Sequence, residues 1–194
     1  RGRLPTELST MSLRSTLLAI ASLLVCLPAG ATVVEALELE QLSQASELVV
    51  RGTALESSAE WVAGRRQIRT VTRVQVSDRL KGDPQAREVE VHTPGGTVGD
   101  ITQKVSGSPQ LEPGDEVVLF LKRRPGPRRL FQVVGMGQGR FSVVREAGRE
   151  LVVREPARLS LLYPDGSVRP SARFGPVPLR QFVERVQKAN AGKP

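Results

Sequence analysis

The sequence predicts a mainly β fold: a small antiparallel Greek-key barrel with a helix at each end. Three observations carry this. Residues 66–78 alternate in polarity, with Ile68, Thr70, Thr72, Val74 and Val76 on one side and Arg69, Val71, Arg73 and Gln75 on the other. That period of two belongs to a strand with two unlike faces. Second, 18 glycines and 14 prolines punctuate the chain at short intervals, as a fold of many turns requires. Third, aromatic residues make up only 4%, so the core must be built largely from Val and Leu, and β-branched side chains favour strands.

The elements follow in order. Residues 1–10 read as an upstream extension and do not enter the fold reasoning. Residues 11–31 have the pattern of a secretory signal peptide: Arg14 in a short positive region, an uncharged apolar run from Leu17 to Leu27, and small residues around Ala29 and Ala31 for cleavage. The run of about 11 residues is too short for a bilayer, which needs about 20. The expected localisation is therefore exported, periplasmic or extracellular, after cleavage near Ala31. The sole cysteine, Cys26, lies inside this segment and follows Val25 rather than the small residue of a lipoprotein signal. Cleavage leaves a chain without disulfide or thiolate zinc chemistry.

Residues 32–194 are expected to form a single β-rich domain. Val34, Leu37, Leu39 and Leu42 give 32–46 a helical rhythm, and Glu47–Leu55 reads as a strand. Residues 57–64 read as a loop carrying the only tryptophan, Trp61. After the strand at 66–78, a Lys81-Gly82-Asp83-Pro84 turn leads into a strand over 87–93. Residues 97–114, rich in Gly, Ser and Pro, read as a long loop. Residues 116–122 are nearly all apolar and fit a strand buried on both faces. A basic hairpin tip at 123–129 follows, then strands at 130–134, 140–145 and 150–154 and an irregular piece at 157–163. Leu179, Phe182, Val183 and Val186 place one amphipathic helix over 178–188. Five to seven short strands of this kind fit a partly open barrel of the oligonucleotide/oligosaccharide-binding (OB) type.

The whole chain has 28 basic and 20 acidic residues, a net charge of +8. Residues 1–31 hold three arginines and one glutamate, so the remainder keeps 25 basic and 19 acidic, a net +6. Most of these charges alternate with acids along strands, as a solvated surface does. Arg123, Arg124, Arg128 and Arg129 are the exception and form the candidate contact for an anion or partner. Trp61 is the candidate loop contact.

Catalytic constellations are not apparent. His92 is the only histidine, so a zinc hydrolase, which needs several nitrogen ligands, cannot be assembled from it without cysteine. His92 is expected to be an exposed strand residue on the face opposite Val89 and Val91. Asp115 and Glu116 adjoin a turn and point to opposite faces, which disfavours them as a carboxylate pair. Gly135–Gly139 lacks a dinucleotide fingerprint and suits a bulge or sharp bend at a barrel corner. Neither catalytic residues nor cofactors nor metals are expected.

An ordered set of motifs adds a resemblance. Leu48-Val49-Val50-Arg51-Gly52, Trp61, Asp78-Arg79-Leu80-Lys81-Gly82-Asp83, Thr93-Pro94-Gly95-Gly96, Val105-Ser106-Gly107, Pro113 to Leu121 and Gly135 to Gly139 together resemble a domain of unknown function in exported bacterial proteins. That domain is found alone or beside extracellular modules such as metallopeptidases, and it brings no known activity with it. The strand, Lys81-Gly82 turn and next strand are also similar to netrin-like barrels of metalloproteinase inhibitors. Those inhibitors chelate zinc through an N-terminal cysteine that this chain lacks after cleavage, so the similarity extends to the fold alone. The expected function is a non-catalytic exported binding or interaction module whose partner is an exported protein or envelope component. A polyanion binder, for polysaccharide or nucleic acid through the basic tip, is the alternative, and a carboxylate-based hydrolase the third reading.

Overall fold

The structure, a computed structural model, describes residues 33–82, 87–126 and 129–191. All of them fall within one compact unit, Ala31–Pro194. The upstream extension and signal sequence therefore lie outside the described residues. Among the described residues the fold is mainly β, with two helices and several sheets.

The segment expected to be helical over 32–46 is instead a short strand, β1 (Val33–Glu35), followed by a shorter helix, α1 (Leu39–Ala45). The helix starts where Glu38 and Gln41 cap each other, the Glu38 amide donating to Gln41 Oε1 at 2.8 Å. Strands β2 (Leu48–Val62) and β3 (Gln67–Lys81) form a long hairpin. The loop expected at 57–64 is thus mostly strand: Ser57 to Val62 pair in register with Thr72 to Gln67. Bulges bend β2 around Gly52, where a Cβ would run into the Gln75 carbonyl, so glycine permits the close approach of β3.

Next come β4 (Glu88–Pro94), a small hairpin of β5 (Gly96–Val98) and β6 (Ile101–Gln103), β7 (Glu116–Arg123) and β8 (Leu130–Val133). The hairpin occupies part of the expected long loop at 97–114. A 3-10 turn, Met136–Gly139, leads into β9 (Arg140–Glu146) and β10 (Arg149–Arg154). It begins with Gly135 and Met136 both at positive φ, the sharp bend that the glycines suggested. Strands β11 (Ser160–Leu162), β12 (Val168–Pro170) and β13 (Phe174–Pro178) precede the last helix, α2 (Leu179–Ala191).

The main sheet has the order β13-β10-β9-β7-β2-β3-β4-β8, and β8 pairs back with β7. Five strands thereby pair in an uneven circuit, β7-β2-β3-β4-β8. Its β2–β3 pairing is long, whereas β4–β8 (parallel) and β7–β8 rest on three residue pairs each. β7 lies at the centre of the core. Val118 and Phe120 join a cluster with Leu42 of α1 and Phe182 and Val186 of α2, while Val117, Leu119 and Leu121 join Val50, Val74, Val91 and Phe131 on the other side. A strand covered on both faces has no need of polar residues, which explains its uninterrupted apolar run.

Candidate functional site

The candidate site lies on the face of β4 turned away from Val89 and Val91. Strand alternation puts His92 there, and pairing builds a row across the sheet. Val71 of β3 stands opposite His92, Gln132 of β8 lies on its other side, and Lys122 of β7 faces Gln132. Arg69 pairs with Pro94, two residues along β4 in one direction. Arg124 closes the β7–β8 hairpin, its amide donating to the Leu130 carbonyl at 2.8 Å, and Leu130 pairs with Glu90, two residues the other way.

Around this row is a recess of about 370 Å³, lined by Arg69, His92, Lys122, Arg124 and Gln132 and walled by Val62, Pro109, Gly135 and Met136. His92 is therefore buried, 7% exposed, and not the surface residue its strand position suggested. The cause is tertiary. Its cross-strand neighbour Val71 is buried too, and the walls come from segments far along the chain. His92 Nδ1 is buried without a hydrogen-bond partner. Burial, then the positive charges of Arg124 and Arg69, push the imidazole down to about 4, with Glu60 pulling the other way. At neutral pH the ring carries no charge.

The cations around it are not equivalent. Arg69 is engaged by Glu60, its Nε donating at 2.7 Å. Among the described residues no carboxylate pairs with Lys122 or Arg124. Among the described residues the recess thus offers two cations without a carboxylate partner beside a neutral histidine.

The expected contact residues divide on this geometry. Arg124 lines the recess. Arg123 points elsewhere: its amide donates to Glu47 at 3.1 Å, and its guanidinium sits 5.9 Å from the Phe131 ring centre. Arg129 is exposed beside β8, and Arg128 lies outside the described residues. Of these, Arg124 alone lines the recess among the described residues. Trp61 sits on β2, not in a loop, half-buried opposite Ile68 and with Arg65 5.9 Å over its ring. Its strand neighbour Val62 walls the recess, whereas Trp61 itself is not among the lining residues.

The carboxylates considered for hydrolysis are held by arginines. Asp115 accepts from Arg140 at 2.7 Å. Glu116 and Glu150 both accept from Arg51, with Glu150 at 2.6 Å. Hydrogen bonds from Arg51 hold the Glu150 carboxyl below its usual range. A second, wider cleft of about 840 Å³ runs past Asp115, Arg140 and a wall of Ser, Thr, Gly and Pro.

Sequence reasoning missed Gln138, fully buried in the 3-10 turn. Its side chain accepts from the Leu37 amide and donates to the Glu35 carbonyl, both at 2.9 Å, pinning the segment that joins β1 to α1. The only signal was a glutamine set among glycines. Among the described residues, no group of three or more His, Cys, Asp or Glu side chains could hold a metal ion. No described helix is long and apolar enough to cross a membrane. No family model and no curated protein matches the chain.

Proposed function

We propose that the protein is a non-catalytic exported binding module with an OB-like barrel, serving an exported or envelope partner. The circuit β7-β2-β3-β4-β8, with its one parallel pairing between β4 and β8, supports that barrel. In such barrels ligands lie on the face of the second and third strands, between two loops. The corresponding place here is the β3–β4 face between the turn after β2 and the turn after β7, where the His92 recess is found.

That recess is the observation that carries the reading, and its charge favours an anionic ligand, which joins the module to the polyanion alternative. A hydrolytic role fits less well. A triad base needs a carboxylate on its Nδ1 to orient it, whereas His92 Nδ1 is buried without a partner. The arginine pairing of Asp115 and Glu116 gives these carboxylates a structural task instead.

The test is retention of the purified protein on heparin, compared with a variant in which Lys122 and Arg124 are Ser. The variant is expected to elute at markedly lower salt, since each phosphate- or sulfate-neutralising cation adds to the salt dependence. Equal elution of both proteins removes the anion-binding face from the proposal. Affinity capture of the tagged protein from its host then identifies a protein partner.

A further inference from the structure

We propose that the His92 recess is a proton-coupled subsite for one acidic sugar unit of a polysaccharide, its carboxylate or sulfate held between Lys122 and Arg124 beside the imidazole. This rests on the anionic-ligand reading above and names its chemistry.

Size and lining select the unit. A volume of about 370 Å³ lies near the lower end of small-ligand sites, which run about 300–1,000 Å³, and so suits one ring with its acid group. The amide of Gln132 and the imidazole of His92 supply neutral polar contacts of the kind that sugar hydroxyls need. Nucleic acid fits less well, because single strands are held by stacking bases on exposed rings. Trp61 carries Arg65 over it, and Phe131 belongs to the core.

The proton follows from the charges around the ring. β2 contributes Glu60, β3 contributes Arg69 and, opposite Glu90 of β4, Arg73; β7 and its turn contribute Lys122 and Arg124; β8 contributes the neutral Gln132. Burial first, and then the charges of Arg124 and Arg69, disfavour a proton on the unliganded ring. An anion seated between Arg124 and Lys122 offsets that field, so the bound complex accepts a proton from solvent more readily than the free protein. By linkage, affinity then rises as pH falls, by at most about tenfold per pH unit for one proton.

His92 is the only histidine in the chain, so its ring resonance needs no assignment. The experiment titrates the full chain with a sulfated uronic-acid disaccharide and, separately, with a short oligothymidylate, at pH 7.5 and 5.5, reading His92 by NMR and affinity by calorimetry. Disaccharide binding should shift the His92 signal and raise its titration midpoint, with affinity about two- to threefold tighter at pH 5.5 than at pH 7.5. His92→Gln should bind with the pH dependence removed, and the exposed-site variant Lys122→Gln should bind at least about tenfold more weakly. Heparin retention with an unmoved His92 signal would overturn the subsite and leave the anion-binding reading standing. Loss of heparin retention by neither the Lys122 nor the Arg124 change would overturn both. A His92 response to oligothymidylate but not to the disaccharide would overturn the sugar assignment.

Discussion

Burying a neutral histidine makes stability depend on pH, and His92 sets both the window and the sign. In an unfolded chain imidazole titrates near about 6.5; in the fold it titrates at about 4. Above the first value neither state holds the proton, and the native state keeps its full stability. Between the two, the unfolded chain binds a proton that the native ring refuses, so stability falls as pH drops. Below about 4 both states are protonated and the loss is complete. Integrated from pH 7 to pH 5, one such group removes about 2 kcal/mol as a ceiling, and water reaching the open recess reduces this to about 1–2 kcal/mol. Urea unfolding at pH 7, 6 and 5 measures it, with the slope m checked for constancy. Carboxylates interfere little in this interval. Their ordinary values lie near about 4, and Glu150 is held lower still. His92→Gln removes the titration and should flatten the profile. An equal loss in His92→Gln and the native sequence, or a free-protein His92 signal titrating near 6.5, would refute the argument.

Two further predictions concern what holds the face in place. Phe182 of α2 is fully buried with ring centres of Phe141, Phe174 and Phe120 at 4.9, 5.9 and 6.4 Å. Phe182→Ala should cost about 3–5 kcal/mol, seen as a fall in Tm of about 6–20 °C, while Phe182→Leu should cost less; a fall below about 3 °C for the alanine variant would mean that α2 does not depend on this contact. Arg51, which bridges Glu116 and Glu150 across β2, β7 and β10, should cost about 1–3 kcal/mol when changed to Met. Arg51→Lys should recover little of that in chemical denaturation, because one ammonium cannot reproduce the planar fork.

The fold was legible where burial imposes a period. The alternation of β3, the unbroken apolar run of β7 and the spacing of Leu179, Phe182 and Val186 each follow from the surfaces they cover. It was illegible where backbone pairing alone makes the strand. Ser57, Ser58, Ala59 and Glu60 are small or polar, yet they continue β2 because Thr72 to Arg69 lie opposite them and supply the ladder. The three-residue strands β5 and β6 are shorter than any period that could announce them. Gln103 anchors that hairpin by accepting from the Ile68 amide at 2.6 Å, a contact 35 residues apart that no local pattern encodes.

The site shows the same division more sharply, because a cluster in sequence is not a cluster on a strand. Arg123 and Arg124 are neighbours, and for that reason alternation sends them to opposite faces. Arg123 shares a face with Phe131 and reaches Glu47; Arg124 shares one with Lys122 and reaches the recess. The spacing that builds the recess is i, i+2 from Lys122 to Arg124, read together with Gln132 across the hairpin. His92 followed the same parity and was placed on the correct face. Its burial depended on Val71, Pro109 and Met136, which lie far apart along the chain and meet only in the folded circuit of strands. A lone histidine among cations thus became a candidate site through pairing register, which fixes neighbours that neither composition nor spacing along one strand can specify.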